Sequence, residues 1–339
     1  MRFETAVLAA LAAALLHACG GSSGPAGPVA LTDLTEREIS AQCGVLARCG
    51  AVTSEGTCKD LLRQDIVANT SELVAAVASG ATTFDGDKAG QCLDWLGAQP
   101  CDQSLAAARV APAACDDAIK GILAAGVACA VSFQCSSGSC NTRPGCTDSC
   151  CPGTCSPVRP APAAAGESCA GRSCVSGTVC GSNQTCVALF AEGTACSYSA
   201  QCAYGTFCTG SPQTCTKVPA EGAACASGQC GATGLVCDKT NHCVRSFGVG
   251  AACTPGHSGC AYDLACDPST SKCIARPGVG SACSNGSCSA GSYCVYDNSG
   301  GGVCSALKAN GKACAEAYEC QSESCQAKVC ADAGACLKK

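Results

Sequence analysis

The distribution of apolar and polar residues divides the chain into three parts. Residues 6–16 form an uninterrupted apolar run. Residues 32–125 carry apolar side chains at helical spacing, as at Leu73 and Val77, four positions apart. From residue 126 onward one or two apolar residues at a time are followed by a cysteine, with glycine-rich turns between them. The pattern predicts an N-terminal leader, a helical region and then a long region without an apolar core.

Polar residues at three positions predict helix starts within residues 32–125. Thr35 with Glu38 and Asn69 with Glu72 have the form of a capping box, in which each side chain satisfies a free backbone N–H. Asp85 is expected to cap a further helix. We therefore expect a domain of four or five short helices.

The cysteines and the tryptophan of this region indicate how the helices are held together. The six cysteines are widely spaced: Cys43, Cys49, Cys58, Cys92, Cys101 and Cys115. Their even number is consistent with three disulfides that close within residues 32–125. We interpret Trp95, the only tryptophan, as a core anchor, with a ligand platform as the alternative reading.

A glycine three residues before a cysteine recurs seven times in the rest of the chain. The glycines are Gly126, Gly166, Gly193, Gly222, Gly250, Gly280 and Gly311. A fixed motif at a spacing near thirty residues predicts a tandem array. We number its units module 1 (residues 126–155), modules 2–6 (five four-cysteine repeats in residues 169–304) and module 7 (a capping unit in residues 305–339). Residues 156–168 are a linker rich in proline and alanine.

The spacing inside and between modules predicts their architecture. Nine residues always separate the last cysteine of one repeat from the first of the next, from Cys186 and Cys196 to Cys304 and Cys314. A flexible linker would vary in length at little cost, so we expect a fixed connector conformation and a semi-rigid rod. A second glycine precedes the third cysteine of most repeats, where a turn with positive φ is expected. In module 5 Asp263 takes this place, and aspartate also tolerates turns.

Each module is thus expected to be one or two tight β-hairpins over two disulfides. Four cysteines allow three pairings. We favour first–third with second–fourth, because interlocked bridges hold a module that has no core. Modules 1 and 7 contain seven and five cysteines, so neither can pair all of them internally. Cys336 is our candidate for an unpaired thiol.

The composition agrees with a disulfide scaffold in an oxidising compartment. The chain has 39 cysteines among 339 residues, and only one tryptophan, six tyrosines and six phenylalanines. The net charge of −5 and the lack of a basic run disfavour nucleic acid as a partner. Histidine occurs only at positions 17, 242 and 257, and no Cys-x-x-Cys is present. We therefore expect no catalytic residues, no cofactor and no metal, with soft-metal binding by reduced thiols as a minor alternative.

The leader predicts where the protein is located. Residues 1–18 have the form of a signal peptide, and Leu16-His-Ala-Cys19 resembles the lipobox of bacterial lipoproteins. The resemblance implies that Cys19 is acylated and anchors the chain to a membrane, with residues 19–31 as a flexible tether. It also implies outer-membrane sorting, because a glycine follows the cysteine. The alternative is a soluble secreted protein in which Cys19 is one more disulfide partner.

The modules themselves also have a family resemblance. Read as Gly-x-x-Cys, Cys, Gly-x-Tyr/Val-Cys, Cys, they resemble the Dickkopf-type N-terminal cysteine-rich module over about residues 126–336. Such modules are found in predicted cysteine-rich lipoproteins of bacteria. The resemblance implies architecture and carries no enzymatic activity.

Together these features predict a small disulfide-rich fold, with a helical N-terminal domain followed by a tandem array of short disulfide-stapled β-hairpin modules. The expected function is that of a non-enzymatic, envelope-anchored cysteine-rich lipoprotein, a surface scaffold that binds or adheres to an unknown protein or glycan. The alternative is an extracellular protease inhibitor, with the loop between Cys294 and Cys304, including Tyr296 and Asp297, as bait. The six tyrosines could line a binding face, although we expect them to cover disulfides. They are Tyr198, Tyr204, Tyr262, Tyr293, Tyr296 and Tyr318.

Overall fold

The computed structural model describes most of the chain after the leader. The described residues are 27–102, 111–142, 152–158, 161–170, 173–175, 177–181, 183–225, 230–253, 259–283, 287–296 and 302–332. The predictions for Cys19, Cys336 and Asp297 fall outside them. The chain forms two compact units. One contains modules 2–4, and the other contains the N-terminal helices with modules 1, 5, 6 and 7. No helix in the described ranges is both long enough and apolar enough to cross a bilayer.

The N-terminal region, which we call the head, contains helices and one small sheet. Its helices are α1 (Leu34–Arg48), α2 (Glu55–Ala78), α3 (Gly86–Gly97) and α4 (Ala113–Asp117), with a 3-10 turn at Leu31–Asp33. Strands β1 (Thr82–Phe84) and β2 (Ile119–Gly121) pair in antiparallel fashion. The helices confirm the prediction in outline, whereas the sheet was not predicted.

Both predicted capping boxes are wrong. Helix α1 begins at Leu34, and Asp33 stands at the N-cap without a side-chain cap hydrogen bond. Helix α2 begins after Ser54, whose hydroxyl accepts the N–H of Thr57 at 3.4 Å, and it continues through residues 69–72. No glycine or proline interrupts the chain between residues 57 and 78. Extending an existing helix costs less than nucleating a second one, so a single helix of 24 residues results.

The predicted cap at Asp85 is confirmed, because its carboxylate accepts the N–H of Lys88 at 3.1 Å. The core of the head is aliphatic. It consists of one cluster of Val29, Leu34, Leu73, Ala89 and Ala118 and a second of Ile39, Cys43, Val52 and Cys58. Trp95 is half-buried and belongs to neither cluster. Disulfides Cys43–Cys58 and Cys92–Cys115 cross-link the head, and Cys49 and Cys101 are also disulfide-bonded.

Each module is a small antiparallel hairpin or three-stranded sheet. The strands are β3 (Ala128–Cys129), β4 (Cys140–Thr142) and β5 (Gly153–Cys155) in module 1, β6 (Thr178–Cys180) and β7 (Cys186–Ala188) in module 2, β8 (Thr206–Thr209) and β9 (Thr214–Lys217) in module 3, β10 (Leu235–Cys237) and β11 (Cys243–Arg245) in module 4, β12 (Leu264–Asp267) and β13 (Lys272–Ala275) in module 5, β14 (Ala282–Cys283), β15 (Ser292–Tyr296) and β16 (Gly302–Ala306) in module 6, and β17 (Cys325–Gln326) and β18 (Val329–Cys330) in module 7. In module 3, for example, Cys208 stands directly opposite Cys215. The prediction of tandem hairpins is confirmed.

The interlocked disulfide pairing is also confirmed, and it is the same in all seven modules. The pairs are Cys129–Cys140 and Cys135–Cys155, Cys169–Cys180 and Cys174–Cys186, Cys196–Cys208 and Cys202–Cys215, Cys225–Cys237 and Cys230–Cys243, Cys253–Cys266 and Cys260–Cys273, Cys283–Cys294 and Cys288–Cys304, and Cys314–Cys325 and Cys320–Cys330. The two terminal modules therefore contain the same four-cysteine unit as the others. Their additional cysteines lie outside the described residues.

The glycine that opens each module is fixed by a backbone requirement. All seven of these glycines have φ between 80° and 85°. In each case the glycine N–H donates to the carbonyl of the last cysteine of the same four-cysteine unit, at 2.7–2.8 Å, as Gly193 does to Cys215. The glycine thus closes the module by joining its beginning to its end. A side chain at this φ would be strained, which accounts for the recurrence of glycine.

The constant connector length also has a structural cause. After Cys186, Ala188 completes a strand of module 2, whereas Phe190 already pairs with module 3 by donating to Gln201 O at 2.7 Å. Gly193 then closes module 3. Each half of the connector is therefore hydrogen-bonded to the module on its own side. An inserted residue would displace one of these bonds, so the length cannot vary. Residues 163–168 of the predicted linker are bonded to module 2 in the same way.

The prediction for Asp263 is wrong in one respect. Asp263 occupies the expected turn, but its φ is not positive. Its side chain is buried. It is hydrogen-bonded to the head segment at Thr53 and Ser54. Module 5 therefore lies against the head.

Candidate functional site

The residues that the sequence singled out do not converge on one site. Cys19, Cys336, His257 and Asp297 are outside the described residues. His242 is exposed and stands in a surface turn, where its Nδ1 lies 2.9 Å from the carbonyl of Thr240. This turn is organised by Asp238, which accepts the backbone N–H groups of Thr240 and His242 and has a lowered pKa for that reason. The geometry around His242 is that of a structural turn.

The tyrosines are more exposed than we predicted. The exposed fractions are 49% for Tyr198, 42% for Tyr204, 37% for Tyr262, 52% for Tyr296 and 55% for Tyr318, whereas Tyr293 is half-buried. The expectation that tyrosines serve to cover disulfides therefore does not describe these five residues. The sulfurs of each module already form its centre, so the aromatic rings are left at the surface.

Three of the six tyrosines lie near one another on modules 6 and 7, since the rings of Tyr293 and Tyr318 are in contact and Tyr296 is close enough to help raise the pKa of Tyr318. Tyr293 and Tyr296 lie on strand β15, and Tyr318 lies in a 3-10 turn of module 7. The rings of Tyr293 and Tyr318 are 6.0 Å apart between centroids and meet edge to face at 66°. This geometry is favourable for an aromatic pair. We refer to Tyr293, Tyr296, Tyr318, Lys308 and Glu319 as the tyrosine surface.

Lys308 and Glu319 fix the geometry of this surface. The Lys308 ammonium pairs with the Glu319 carboxylate, which also accepts the N–H of Ala315 at 3.1 Å. These contacts lower the pKa of Glu319 and raise that of Lys308, whose ammonium also lies beside the phenol of Tyr293. The backbone adds two bonds, from Lys308 N to Glu319 O at 2.7 Å and from Gln321 N to Lys308 O at 3.0 Å. These bonds fix the segment at Lys308 within module 7, and the contacts of Lys308 and Tyr318 with Tyr293 join module 7 to module 6.

The electrostatics of the surface favour binding over proton transfer. Partial burial raises the pKa of Tyr318, and the carboxylates of Glu319 and Glu316 raise it further. Its phenol therefore stays protonated and available as a hydrogen-bond donor at neutral pH. The lysine and the glutamate neutralise one another. What remains is a nearly neutral aromatic surface with hydroxyl groups, on a backbone cross-linked by four disulfides.

A shallow groove lies between modules 3 and 4. It has a volume of about 460 Å³ and is lined by Phe207, Thr209, Thr216, Lys217, Val218, Pro219, Ala220, Ala223 and Ala224. Lys217 is the only titratable residue in this lining. The groove therefore lacks the paired groups that acid–base or nucleophilic chemistry requires.

The cysteine clusters are cross-links in this structure. In several modules three Sγ atoms lie within 4.8 Å of one another, as in Cys169, Cys174 and Cys186. Metal coordination by cysteine requires thiolates. These sulfurs are instead bonded in the pairs Cys169–Cys180 and Cys174–Cys186. The clusters therefore stabilise the modules in this oxidised state.

The ion pair of Lys308 and Glu319 was not predicted from the sequence. One signal was present in the alignment of the connectors. The residue four positions after the last cysteine is Phe190, Pro219, Phe247 or Pro277 in the other repeats. Only in the last connector is it charged, at Lys308. A charged residue at an otherwise apolar position indicates a polar partner.

The chain matches no family model, no curated protein and no solved structure in the comparisons made.

Proposed function

We propose that the protein is a non-enzymatic, envelope-anchored cysteine-rich lipoprotein, and that its array is a surface scaffold for binding or adhesion to protein or glycan. The disulfides are typical of an extracellular or secreted protein. The observation that carries the proposal is the tyrosine surface, where Tyr296 and Tyr318 are more than half exposed. Aromatic side chains on a rigid backbone give large contact area at low entropic cost, which is why they dominate binding hot spots.

A binding screen with matched variants tests this proposal. The oxidised protein is screened against a glycan array and a panel of purified extracellular proteins. For any ligand found, Tyr296→Ala/Tyr318→Ala is compared with Tyr198→Ala/Tyr204→Ala, which removes two exposed tyrosines of module 3. We expect at least a tenfold loss of affinity in the first variant and no change in the second. Equal binding by both variants, or no ligand at all, would argue against the tyrosine surface.

The anchor requires a separate measurement. The protein is purified from membranes and its intact mass is determined without reduction, with and without thiol alkylation. We expect a chain that begins at Cys19 and carries acyl groups. A soluble, unlipidated chain would favour the secreted alternative. Alkylation of many thiols would favour soft-metal binding by reduced cysteines.

The second candidate function, protease inhibition, depends on one observation. Tyr296 is 52% exposed at the end of strand β15, where the predicted bait loop begins. Small disulfide modules present such loops in a rigid form. A panel of extracellular proteases separates the two functions, since inhibition that is abolished by Tyr296→Ala alone would favour a bait loop.

A further inference from the structure

Asp263 of module 5 stands at a position that is glycine in the other four repeats. Three residues before the third cysteine, modules 2, 3, 4 and 6 have Gly177, Gly205, Gly234 and Gly291, with φ between 77° and 84°. The turn in module 5 is closed by the same backbone hydrogen bond, from Leu264 N to Ala261 O at 2.9 Å, as Thr206 N donates to Ala203 O at 3.0 Å in module 3, although the φ of Asp263 is not positive. Because glycine forms this turn elsewhere in the array, the turn alone does not require an aspartate.

The Asp263 carboxylate is instead used for a contact with the head. The residue is 1% exposed. Its Oδ1 accepts the N–H of Thr53 at 2.9 Å. Its Oδ2 accepts the Thr53 hydroxyl at 2.5 Å and the N–H of Ser54 at 3.2 Å. A buried carboxylate is tolerated only when such donors replace water.

Two further hydrogen bonds extend the same contact. Tyr262 N donates to Ala51 O at 2.8 Å, and the hydroxyl of Ser246 donates to Gly50 O at 2.7 Å. Arg276 also contacts Tyr262. Its guanidinium lies 5.2 Å from the ring centroid and donates to the Tyr262 carbonyl. The contact is therefore polar and directional, and it joins residues 210 positions apart in sequence.

The head presents a preformed docking site for module 5. Residues 50–54 form the loop between α1 and α2, and the disulfide Cys43–Cys58 closes that loop. Val52 at its centre is buried in the second core cluster of the head. The carboxylate lies at the N-terminal end of α2, where the helix dipole favours a negative charge. Loop, disulfide and helix together fix the N–H groups that Asp263 binds.

We propose that Asp263 is the specificity residue of an intramolecular latch, which selects module 5 among the repeats as the docking partner of the head loop 50–54. The glycine that modules 2, 3, 4 and 6 carry at this place has no side chain with which to make the contact. The latch holds the head loop 50–54 and the 261–264 turn of module 5 together. It is independent of the ligand-binding function proposed above.

Hydrogen exchange measured by mass spectrometry on the oxidised full chain tests the latch. In Asp263→Gly, which installs the residue of the other repeats, we expect exchange to accelerate at least tenfold in peptides covering residues 50–57 and 260–266. Asp263→Asn is expected to give a smaller effect in the same peptides. The control is Asp267→Asn, which removes an equal charge from module 5. The Asp267 carboxylate accepts hydrogen bonds only from Ser269 and Thr270 of its own turn.

Two further measurements on the same samples exclude misfolding of module 5. The count of free thiols must stay unchanged, and the Cys273 amide, which bonds Ala251 inside the module, must stay protected. Faster exchange confined to the two latch peptides then supports the proposal. Wild-type exchange in Asp263→Gly, or an equal acceleration in Asp267→Asn, would overturn it.

Discussion

The head and the modules of this protein are stabilised in different ways. In the head, Ile39 and Leu73 are 0% and 2% exposed and pack among other aliphatic residues on three helices. In module 6 the buried cluster consists only of cysteines, namely Cys283, Cys288, Cys294 and Cys304. Packing supplies the core of the head, and covalent bonds supply the core of a module. The sequence composition of each region follows from this difference.

The difference also determines which residues are free for binding. A domain with an apolar core must place its large side chains inside, because each contributes about 1.5–3 kcal/mol when buried. A module whose centre is two disulfides has no such need. Its few aromatic residues can therefore remain at the surface, as Tyr296 and Tyr318 do. The modules can therefore present large side chains at their surface, whereas the large side chains of the head are used for packing.

Reduction of the disulfides should have the most different effects on the stability of the head and of the modules. Each disulfide contributes about 2–4 kcal/mol, and a module has two of them over almost no apolar core. After treatment with a strong phosphine reductant we expect the hairpin amides of modules 2–7 to lose all protection from hydrogen exchange. The α2 amides should keep measurable protection. Protected hairpins in the fully reduced protein would contradict the idea that the cross-links form the module core.

Two matched leucine substitutions test how differently the head and a module depend on buried apolar side chains. Leu73 of the head and Leu264 of module 5 are both buried. We expect Leu73→Ala to cost about 2–5 kcal/mol of local stability, because the aliphatic cluster is left with a cavity. Leu264→Ala should cost clearly less, since two disulfides still close its module. The measurement is the free energy of local opening from hydrogen exchange, and equal losses would remove the distinction.

The modules were easier to predict from the sequence than the head was. Hairpins and interlocked disulfides follow from cysteine and glycine spacing, because only a few arrangements satisfy those constraints. In the head, the position of Thr35 and Asn69 suggested helix starts, but capping signals are weak beside the cooperativity of a long helix. The pairing of β1 with β2 depends on residues that are 37 positions apart in the register of Thr83 and Lys120. No local pattern reports such a contact.

The candidate site was only partly predictable for the same reason. The tyrosines were identified from sequence, but their exposure was not, because it depends on the disulfides filling each module. The Asp263 contact was missed because its partners, Thr53 and Ser54, belong to another region of the chain. The only local signal was a departure from glycine. Departures from a repeat consensus therefore indicate contacts outside the repeat.

One glycine-to-alanine change in each region should have opposite effects. Gly44 lies inside α1, where an added methyl group would meet no neighbouring atom, so Gly44→Ala should stabilise the head by about 0.5–1 kcal/mol through helix propensity. Gly222 opens module 4 with φ of 82°, and Gly222→Ala should destabilise that module by about 1–2 kcal/mol. No atom lies near that position either, so the cost is conformational. Local hydrogen exchange in α1 and in β10–β11 measures both, and effects of the same sign would refute the argument.

The smallest expected difference is in the response to pH. Burial raises the pKa of the half-buried Glu72 in α2 above its ordinary value of 4.5. The fold therefore favours its protonated form, and its contribution to stability is present below pH 4.5 and lost as the pH rises through the raised pKa. In module 4, hydrogen bonds from its own turn lower the pKa of Asp238 below 3.8, so its contribution is present above that value and lost as the pH falls.

The two carboxyl groups should thus give pH dependences of opposite sign. Glu72→Gln is expected to stabilise α2 at pH 7 and to have little effect at pH 4. Asp238→Asn is expected to weaken the hairpin of module 4 at pH 7, with the difference shrinking as the pH falls below 3.8. Hydrogen exchange of α2 and of β10–β11, corrected for the intrinsic rate at each pH, measures both slopes. If Glu72→Gln left the α2 slope unchanged, desolvation of that carboxylate would not be a cost to the head, and the apolar character that distinguishes the head from the modules would not extend to this part of the helix.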